Sequence, residues 1–580
     1  MALALSFRER LHKANIVAGI AIFVMLMTTT VMPIETRWSG AEVAVAQTLP
    51  ILCLLGMAFA LMQNNGNRKL PLLDVFVTAW YIYYLCRTWA GNEYPCATQF
   101  LKDTELFALY FALRGIFCNI NVSPAFIVIV LICLGCYEAV SGLWQTITGG
   151  SRHSLYMLTG SFLNPGPYSA FLLIALAAGL TAKKELLSTA GKFPKPMRRY
   201  LAATFLVMMA VTTVVFPATW SRAALMALAV VCLWYFRKNY WRWRYVVWGV
   251  CLAAVAALYF IKQGSADGRM LTWAASITAW GHSPWLGVGT GGFRHVCAEG
   301  IAELYAANPA NPLFASGNVA EYAFCDFLKI LVEQGVIGAA LCIIATAALL
   351  HNTYCYSKPL FCSLLALLMF SMFSYPFELY PFRSFIVIMA AVSSGKANTV
   401  NTIGCKRIMP AFLTLGGIAI ISGYLAKEIN IRHKADKEAD VFLYSRQGFA
   451  ENDANLLSKE SDNPRFLFIF AKSLRSKGRY NDSNALLRQG VLTSGDPMFF
   501  LLQGNNYKDM GCLDLAEKAY MKAYSVMPNR LYPLYRMMLL YESAGKREKA
   551  RHIAKIILET SPKINSHATK DIKDKARSLL

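Results

Sequence analysis

The chain has 580 residues, of which 56% are hydrophobic and 16% charged, with a mean hydropathy of +0.39. So little polar surface excludes a soluble protein of this size. Lys and Arg outnumber Asp and Glu by 57 to 34, a formal net charge of +23. The excess sits in short loops between apolar runs, where the preference of cytoplasmic loops for cations explains it and nucleic acid is not required as a partner.

The chain opens on the short basic segment MALALSFRERLHK and enters an apolar run from Ala14 to about Met32. No small-x-small cleavage site follows and further apolar runs come at once, so we read an uncleaved first span with a cytoplasmic N-terminus. Further spans are predicted at 41–62, 70–86, 102–118, 123–145, 166–182, 200–217, 222–236, 244–262, 332–350, 359–374, 382–395 and 409–425. About thirteen runs of bilayer length predict an all-α, polytopic membrane bundle. Counted from a cytoplasmic start, the inner loops hold Arg68, Lys69, the block from Lys183 to Arg199, the run RKNYWRWR at 237–244, and Lys396, Lys406 and Arg407. The outer loops hold only scattered cations, notably Arg87, Arg152, Arg222, Arg269, Arg294 and Arg383. This bias puts the 263–331 loop and the C-terminal part on the outer side.

Two spans are irregular. Segment 102–118 carries Lys102, Asp103, Glu105 and Arg114, the composition of a short or interfacial helix. Segment 123–145 carries Glu138, either an intramembrane functional carboxylate or one near the outer interface.

Residues 263–338 form the longest polar interval between spans, and a membrane protein has little reason to keep one that does no work. It carries Arg269, His282, Arg294, His295, Glu299, Glu303, Glu321 and Asp326. WAASITAW within it spaces apolar residues as a short amphipathic helix does. Its run GVGTGG does not follow the GxGxxG order and no strand precedes it, so it reads as a tight turn over the membrane rather than a phosphate loop. Most cysteines lie in apolar runs as small hydrophobes. Cys133 and Cys136 form a lone CxxC, without the second pair a zinc site needs. Cys297 and Cys325 face the outer side as candidates for a disulfide, a pairing the sequence leaves open.

After Leu425 the composition becomes that of a soluble domain. KSLRSKGRYNDSNALLRQG, NNYKDMGCLDLAEKAYMKAY and MLLYESAGKREKARHIAKI align on Gly478, Gly511 and Gly545, at intervals of 33 and 34 residues. Pro497, Pro528 and Pro562 close successive units, and Ala516, Ala519, Ala550 and Ala554 take helix-packing positions. This period resembles tetratricopeptide repeats, either a helical cap or a groove for a partner.

Arg222 in FPATWSRAAL, Arg269 in GRMLTW and Arg294 in GGFRHV stand at outer ends of spans. A guanidinium binds phosphate oxygens two at a time and keeps its charge when partly desolvated, so these residues suit a lipid-linked pyrophosphate; snorkelling to headgroups is the other use for them. The succession TGSFLNPGPYSAFL (159–172), TWSRAAL (219–225), GRMLTW with SPWLGVGTGGF, then FCDFLKILVEQGVIG resembles the O-antigen ligase and polymerase superfamily. That superfamily includes lipopolysaccharide O-antigen ligases, Wzy-type polymerases and bacterial O-oligosaccharyltransferases. The resemblance covers roughly residues 150–395.

The resemblance implies a multi-pass protein of the bacterial inner membrane, with its active site and C-terminal domain on the periplasmic side. Such a glycosyltransferase needs no metal and no nucleotide cofactor. It moves a glycan from undecaprenyl pyrophosphate to a hydroxyl on lipid A–core, on a growing glycan or on a protein. Arg222 and Arg269 match by position the family arginines that hold the donor diphosphate, and Arg294 joins them as a third candidate. Many members carry a His-Asn pair where this chain has Phe324 and Cys325, so the family histidine is absent. Glu321 and His295 are the candidates to activate the acceptor in its place. The expected organisation is N-terminal spans at 1–150, a ligase-like membrane domain at 151–425 with the outer loop 263–331, a linker at 426–463 and repeats at 464–580. A Wzy-type polymerase is the alternative within this chemistry. A transporter of lipid-linked glycans is the alternative outside it, but no paired broken helices or inverted repeat support that reading.

Overall fold

The computed structural model describes residues 37–61, 68–117, 122–151, 153, 156–191, 193–261, 263–319, 321–395, 402–405, 409–444 and 454–580. The expected first span lies outside these residues. Each of the other twelve coincides with a helix. They are α1 (Gly40–Leu61), α2 (Leu72–Trp89), α3 (Ala97–Phe117), α4 (Pro124–Thr148), α5 (Pro165–Thr181), α7 (Lys195–Ala218), α8 (Arg222–Tyr235), α9 (Arg244–Ile261), α12 (Asp326–Tyr356), α13 (Lys358–Ser371), α14 (Tyr380–Gly395) and α15 (Met409–Tyr444). Helix α6 (Lys183–Ala190) links α5 to α7, while α10 (Gln263–Gly281) and α11 (Phe293–Ala307) lie in the 263–331 segment, which is thus largely helical. Among the described residues, α1, α4, α7 and α12 are long and apolar enough to cross a membrane. Among the described residues the protein is all-helical apart from a two-stranded antiparallel ribbon of β1 (Arg68–Pro71) and β2 (Thr402–Cys405), in which Arg68 pairs with Cys405.

The chain divides into two compact units, the first made of residues 1–83, 100–255 and 340–433. In it α5 is buried nearly all round, and the Ser363 hydroxyl of α13 donates to the Ile174 carbonyl at 2.9 Å. Helix α3 solves the problem its charges pose by pairing them. Lys102 meets Glu42 at 3.0 Å, Asp103 meets Arg383, the Tyr380 hydroxyl donates to Glu105 at 2.9 Å, and Arg114 lies 3.4 Å from Asp74. Paired in this way, the charges do not interrupt a helix of 21 residues, roughly 31 Å at 1.5 Å per residue and about the thickness of a bilayer's hydrocarbon core.

The second unit comprises residues 84–99, 256–339 and 434–580. Its repeats are three helical hairpins: α16 (Pro464–Ser476) with α17 (Tyr480–Thr493), α18 (Met498–Asp509) with α19 (Leu513–Val526), and α20 (Leu531–Ser543) with α21 (Arg547–Glu559). Helix α22 (His567–Arg577) closes the stack. Gly478, Gly511 and Gly545 each sit at a hairpin turn with φ of 74°, 77° and 71°, so the sequence period is the hairpin period. Ala516, Ala519, Ala550 and Ala554 are buried where helices touch, and around them Tyr520, Leu534, Met537 and Ile557 fill the core. Helix α15 continues without interruption to Tyr444, through the first part of the stretch 426–463. Cys297 and Cys325 are both free thiols. Cys297 is buried against Ser276 and the Thr272 carbonyl, each 3.8 Å away, and burial pushes its pKa up to about 12.

Candidate functional site

The site is framed by a break in α12. Gly335 has φ 65° and ψ −170°, a conformation open essentially to glycine alone. The break interrupts the helical ladder, and the glycine run lies across the gap. The Val288 and Gly289 amides donate to the carbonyls of Val332 and Glu333 at 2.9 and 3.0 Å. Beyond the break, the Val336 and Ile337 amides donate to the carbonyls of Pro284 and Trp285 at 2.9 and 3.3 Å. Backbone groups freed by the break are thereby satisfied within the protein. A Cβ on Gly287 would lie 2.4 Å from the backbone of Glu333, so this crossing admits no side chain.

The strap is held from its other side by the end of α2 and the segment after it. Arg87 donates from Nε to the Leu286 carbonyl and from Nη2 to that of Gly287, both at 3.0 Å. Asn92 Nδ2 donates to the Thr290 carbonyl at 3.1 Å. Glu333, buried, accepts from the Gly291 amide at 3.2 Å and from Gln99 Nε2 at 3.4 Å. The expected tight turn is therefore a strap bonded along a broken helix. Arg87, Asn92 and Glu333 are residues of this frame that sequence reasoning did not select. Only the glutamate within the EQG motif offered a signal.

The loop entering α12 is gripped from two helices. From α10, the Arg269 guanidinium lies over the Phe324 ring at 5.1 Å and Trp273 Nε1 donates to the Ala323 carbonyl at 3.0 Å. From α11, Arg294 Nε donates to the Glu321 carbonyl at 3.3 Å. Arg269, Arg294 and Glu321 thus meet around one short loop, with the Glu321 side chain exposed. Phe324, where the family pattern has histidine, holds a left-handed backbone of φ 51°. His295 points elsewhere: its Nδ1–H donates to the Val491 carbonyl of α17 at 3.1 Å, its ring faces Tyr94, and burial lowers its pKa.

Arg222 belongs to the first unit, as the opening residue of α8, which Ser221 caps by accepting from the Ala224 amide. Trp220, two residues before it, has φ 49°. Among the described residues, Trp220 and Phe324 are the two non-glycine positions with positive φ, and each stands in a motif singled out from sequence. Such backbones cost about 1–3 kcal/mol and concentrate at functional sites. In the same unit Glu138 is fully buried and accepts from the Ser161 amide at 3.0 Å and hydroxyl at 2.6 Å. Gln145 holds the adjoining Gly160 by its amide and carbonyl. The TGSF motif is thus a loop clasped by two polar residues of α4.

The fold and this frame define a polytopic helical membrane protein with a strapped, broken helix and a C-terminal helical-repeat array. Residues 205–343 match the family described as O-antigen ligase, so the chain carries an O-antigen ligase family domain there, which supports a polysaccharide-related, glycosyltransferase-type role. The match spans Arg222, Arg269, Arg294, His295, Glu321 and the break at Gly335. No curated protein matches the chain. Two solved structures, titled "Crystal structure of MamA" and "Crystal structure of MamA protein", are similar to parts of it. The first is 19% identical with a TM-score of 0.18, covering 22% of this chain and 78% of its own. The second is 18% identical with a TM-score of 0.17, covering 21% and 73%.

Proposed function

We propose that this protein transfers a glycan from undecaprenyl pyrophosphate to a hydroxyl acceptor at the periplasmic face of a bacterial inner membrane. The observation that carries the reading is the meeting of Arg269, Arg294 and Glu321 around the loop before α12, inside the residues matched as O-antigen ligase. Arg269 and Arg294 bind the donor diphosphate. Glu321 takes the proton of the acceptor hydroxyl, whose oxygen attacks the anomeric carbon. The bond from that carbon to the diphosphate oxygen breaks, and the departing oxygen keeps the electron pair. Negative charge grows on the diphosphate as it leaves, and fixed guanidinium groups stabilise it where it develops. Of the two candidate bases we take Glu321, because it stands on the loop that Arg269 and Arg294 grip, whereas the His295 ring lies against Tyr94 and the Val491 carbonyl. The chemistry rests on protein cations alone and calls for no metal or nucleotide.

The test is deletion of the gene with glycan-specific blotting of lipopolysaccharide and protein fractions, complemented by wild type, Arg269→Ala and Glu321→Ala. Loss of glycan from one fraction, with lipid-linked glycan accumulating, names the acceptor and supports transfer. Collapse of long chains to single repeat units identifies a polymerase instead. Unchanged glycan in every fraction, in a strain without a second such gene, ends the enzyme reading.

A further inference from the structure

We infer that Asn529 and Lys563 of the repeat array are positioning residues for the loop that carries Glu321 and Phe324, an inference that rests on the function proposed above. Asn529 sits in the turn between α19 and α20 and is only 5% exposed. Its amide donates to the carbonyls of Phe314 at 3.0 Å, Ala315 at 3.2 Å and Gly317 at 2.9 Å. Lys563, just past α21, donates from Nζ to the carbonyls of Ser316 at 2.9 Å and Gly317 at 3.2 Å, and to Asn318 Oδ1 at 2.6 Å. Every carbonyl from 314 to 317 is thus taken by a side chain of the array.

These carbonyls end the short 3-10 turn Pro312–Ser316, in which the Phe314 carbonyl also accepts from the Gly317 amide at 3.1 Å. The Asn529 bonds to the Phe314 and Gly317 carbonyls are buried, where an acceptor left unmade is costly, so the array fixes this segment by supplying donors there. The segment is fixed from beneath as well, because the Phe314 ring packs with Leu271, Ala275 and Phe293 of α10 and α11. Glu321 follows Gly317 by four residues, and Arg269 and Trp273, which grip the 323–324 turn, lie on the same α10. Lys522 paired with Glu299, and Val491 accepting from His295, tie α11 to the array in the same way. The array is therefore part of the site's scaffold, with its turn residues spent on the protein's own loop.

The experiment uses the full-length protein in detergent and compares wild type with Asn529→Asp, Lys563→Met and the conservative Lys563→Arg. Arg479→Ala, which removes an exposed pair within one helical turn, is the control. Two readouts are taken: kcat and KM with a lipid-linked glycan donor, and chymotryptic cleavage after Phe314. Asn529→Asp keeps the shape of the turn but turns donors into acceptors facing carbonyls. We expect it and Lys563→Met to lower kcat about tenfold, with KM for the donor within about twofold and a modest fall in melting temperature that leaves the protein folded at the assay temperature. Both should open the Phe314–Ala315 bond to protease, and Lys563→Arg should restore protection and rate. Wild-type kcat in both disruptive variants overturns the inference while leaving the proposed function standing. Absence of transfer by wild type overturns the proposed function. In that event, unchanged protection of Phe314 in the variants overturns the positioning role, and exposure upholds the grip on the loop.

Discussion

A Cβ atom on Gly335 would lie 2.2 Å from the carbonyl oxygen of Trp285. Gly335→Ala therefore meets a steric block as well as a backbone that L-residues avoid. The conformational cost alone is about 1–3 kcal/mol, and the strap must also move. We expect a lower melting temperature in detergent and loss of transfer. Gly281→Ala, with nothing within 4 Å of its added carbon, should leave both unchanged.

Arg269→Ala should slow transfer by about a hundredfold, the scale for losing one fixed stabiliser of developing charge. Arg269→Lys keeps the charge but not the planar fork or the stack on Phe324, so recovery should be partial. Initial rates with purified protein and lipid-linked donor measure both. A melting temperature close to wild type would separate this loss from misfolding.

His295 gives the second unit an acid sensitivity. Burial, the main cause, lowers its folded pKa below the usual value of 6.5; nearby Glu299 opposes this and Lys522 reinforces it. As pH falls below 6.5 the unfolded chain takes up the proton before the folded one. The stabilisation is therefore full above about pH 6.5 and is lost as pH falls towards the folded pKa. His295→Gln keeps a donor for the Val491 carbonyl without titrating. Its melting temperature should fall less between pH 7.5 and 5.5 than that of wild type.

Asp103 and Arg383 offer a test of the charged helix α3. Arg383→Met leaves a carboxylate without its partner and should cost about 3 kcal/mol, whereas the double variant Asp103→Leu, Arg383→Met should recover most of the loss. Melting temperatures of the single and double variants decide it.

The helices were legible because each span is a local apolar run of fixed length, and the repeats because their period is local too. What the chain hid was pairing at a distance. Lys102 and Asp103 look like an interruption until Glu42 and Arg383, 60 and 280 residues away, come to meet them. The glycine run looks like a turn because nothing nearby in sequence marks the open ladder at Gly335. The arginines were visible as residues, but not the loop that Arg269 and Arg294 share, since side-chain reach across α10 and α11 has no linear signature. The state of Cys297 and Cys325, open in the sequence, was hidden for the same reason: the place of Cys297 is set by Ser276 and Thr272 on the facing helix.

The strap also decides where this chain can change length. Four backbone bonds tie 284, 285, 288 and 289 to 336, 337, 332 and 333 on both sides of the break, and Arg87 and Asn92 fix the opposite edge. One inserted residue would shift every later amide off its carbonyl, so this crossing has no slack. The tip at 308–310 is exposed, and among the described residues no side-chain hydrogen bond clasps it. Length variation and engineered epitopes belong at that tip, with the strap kept at its present count.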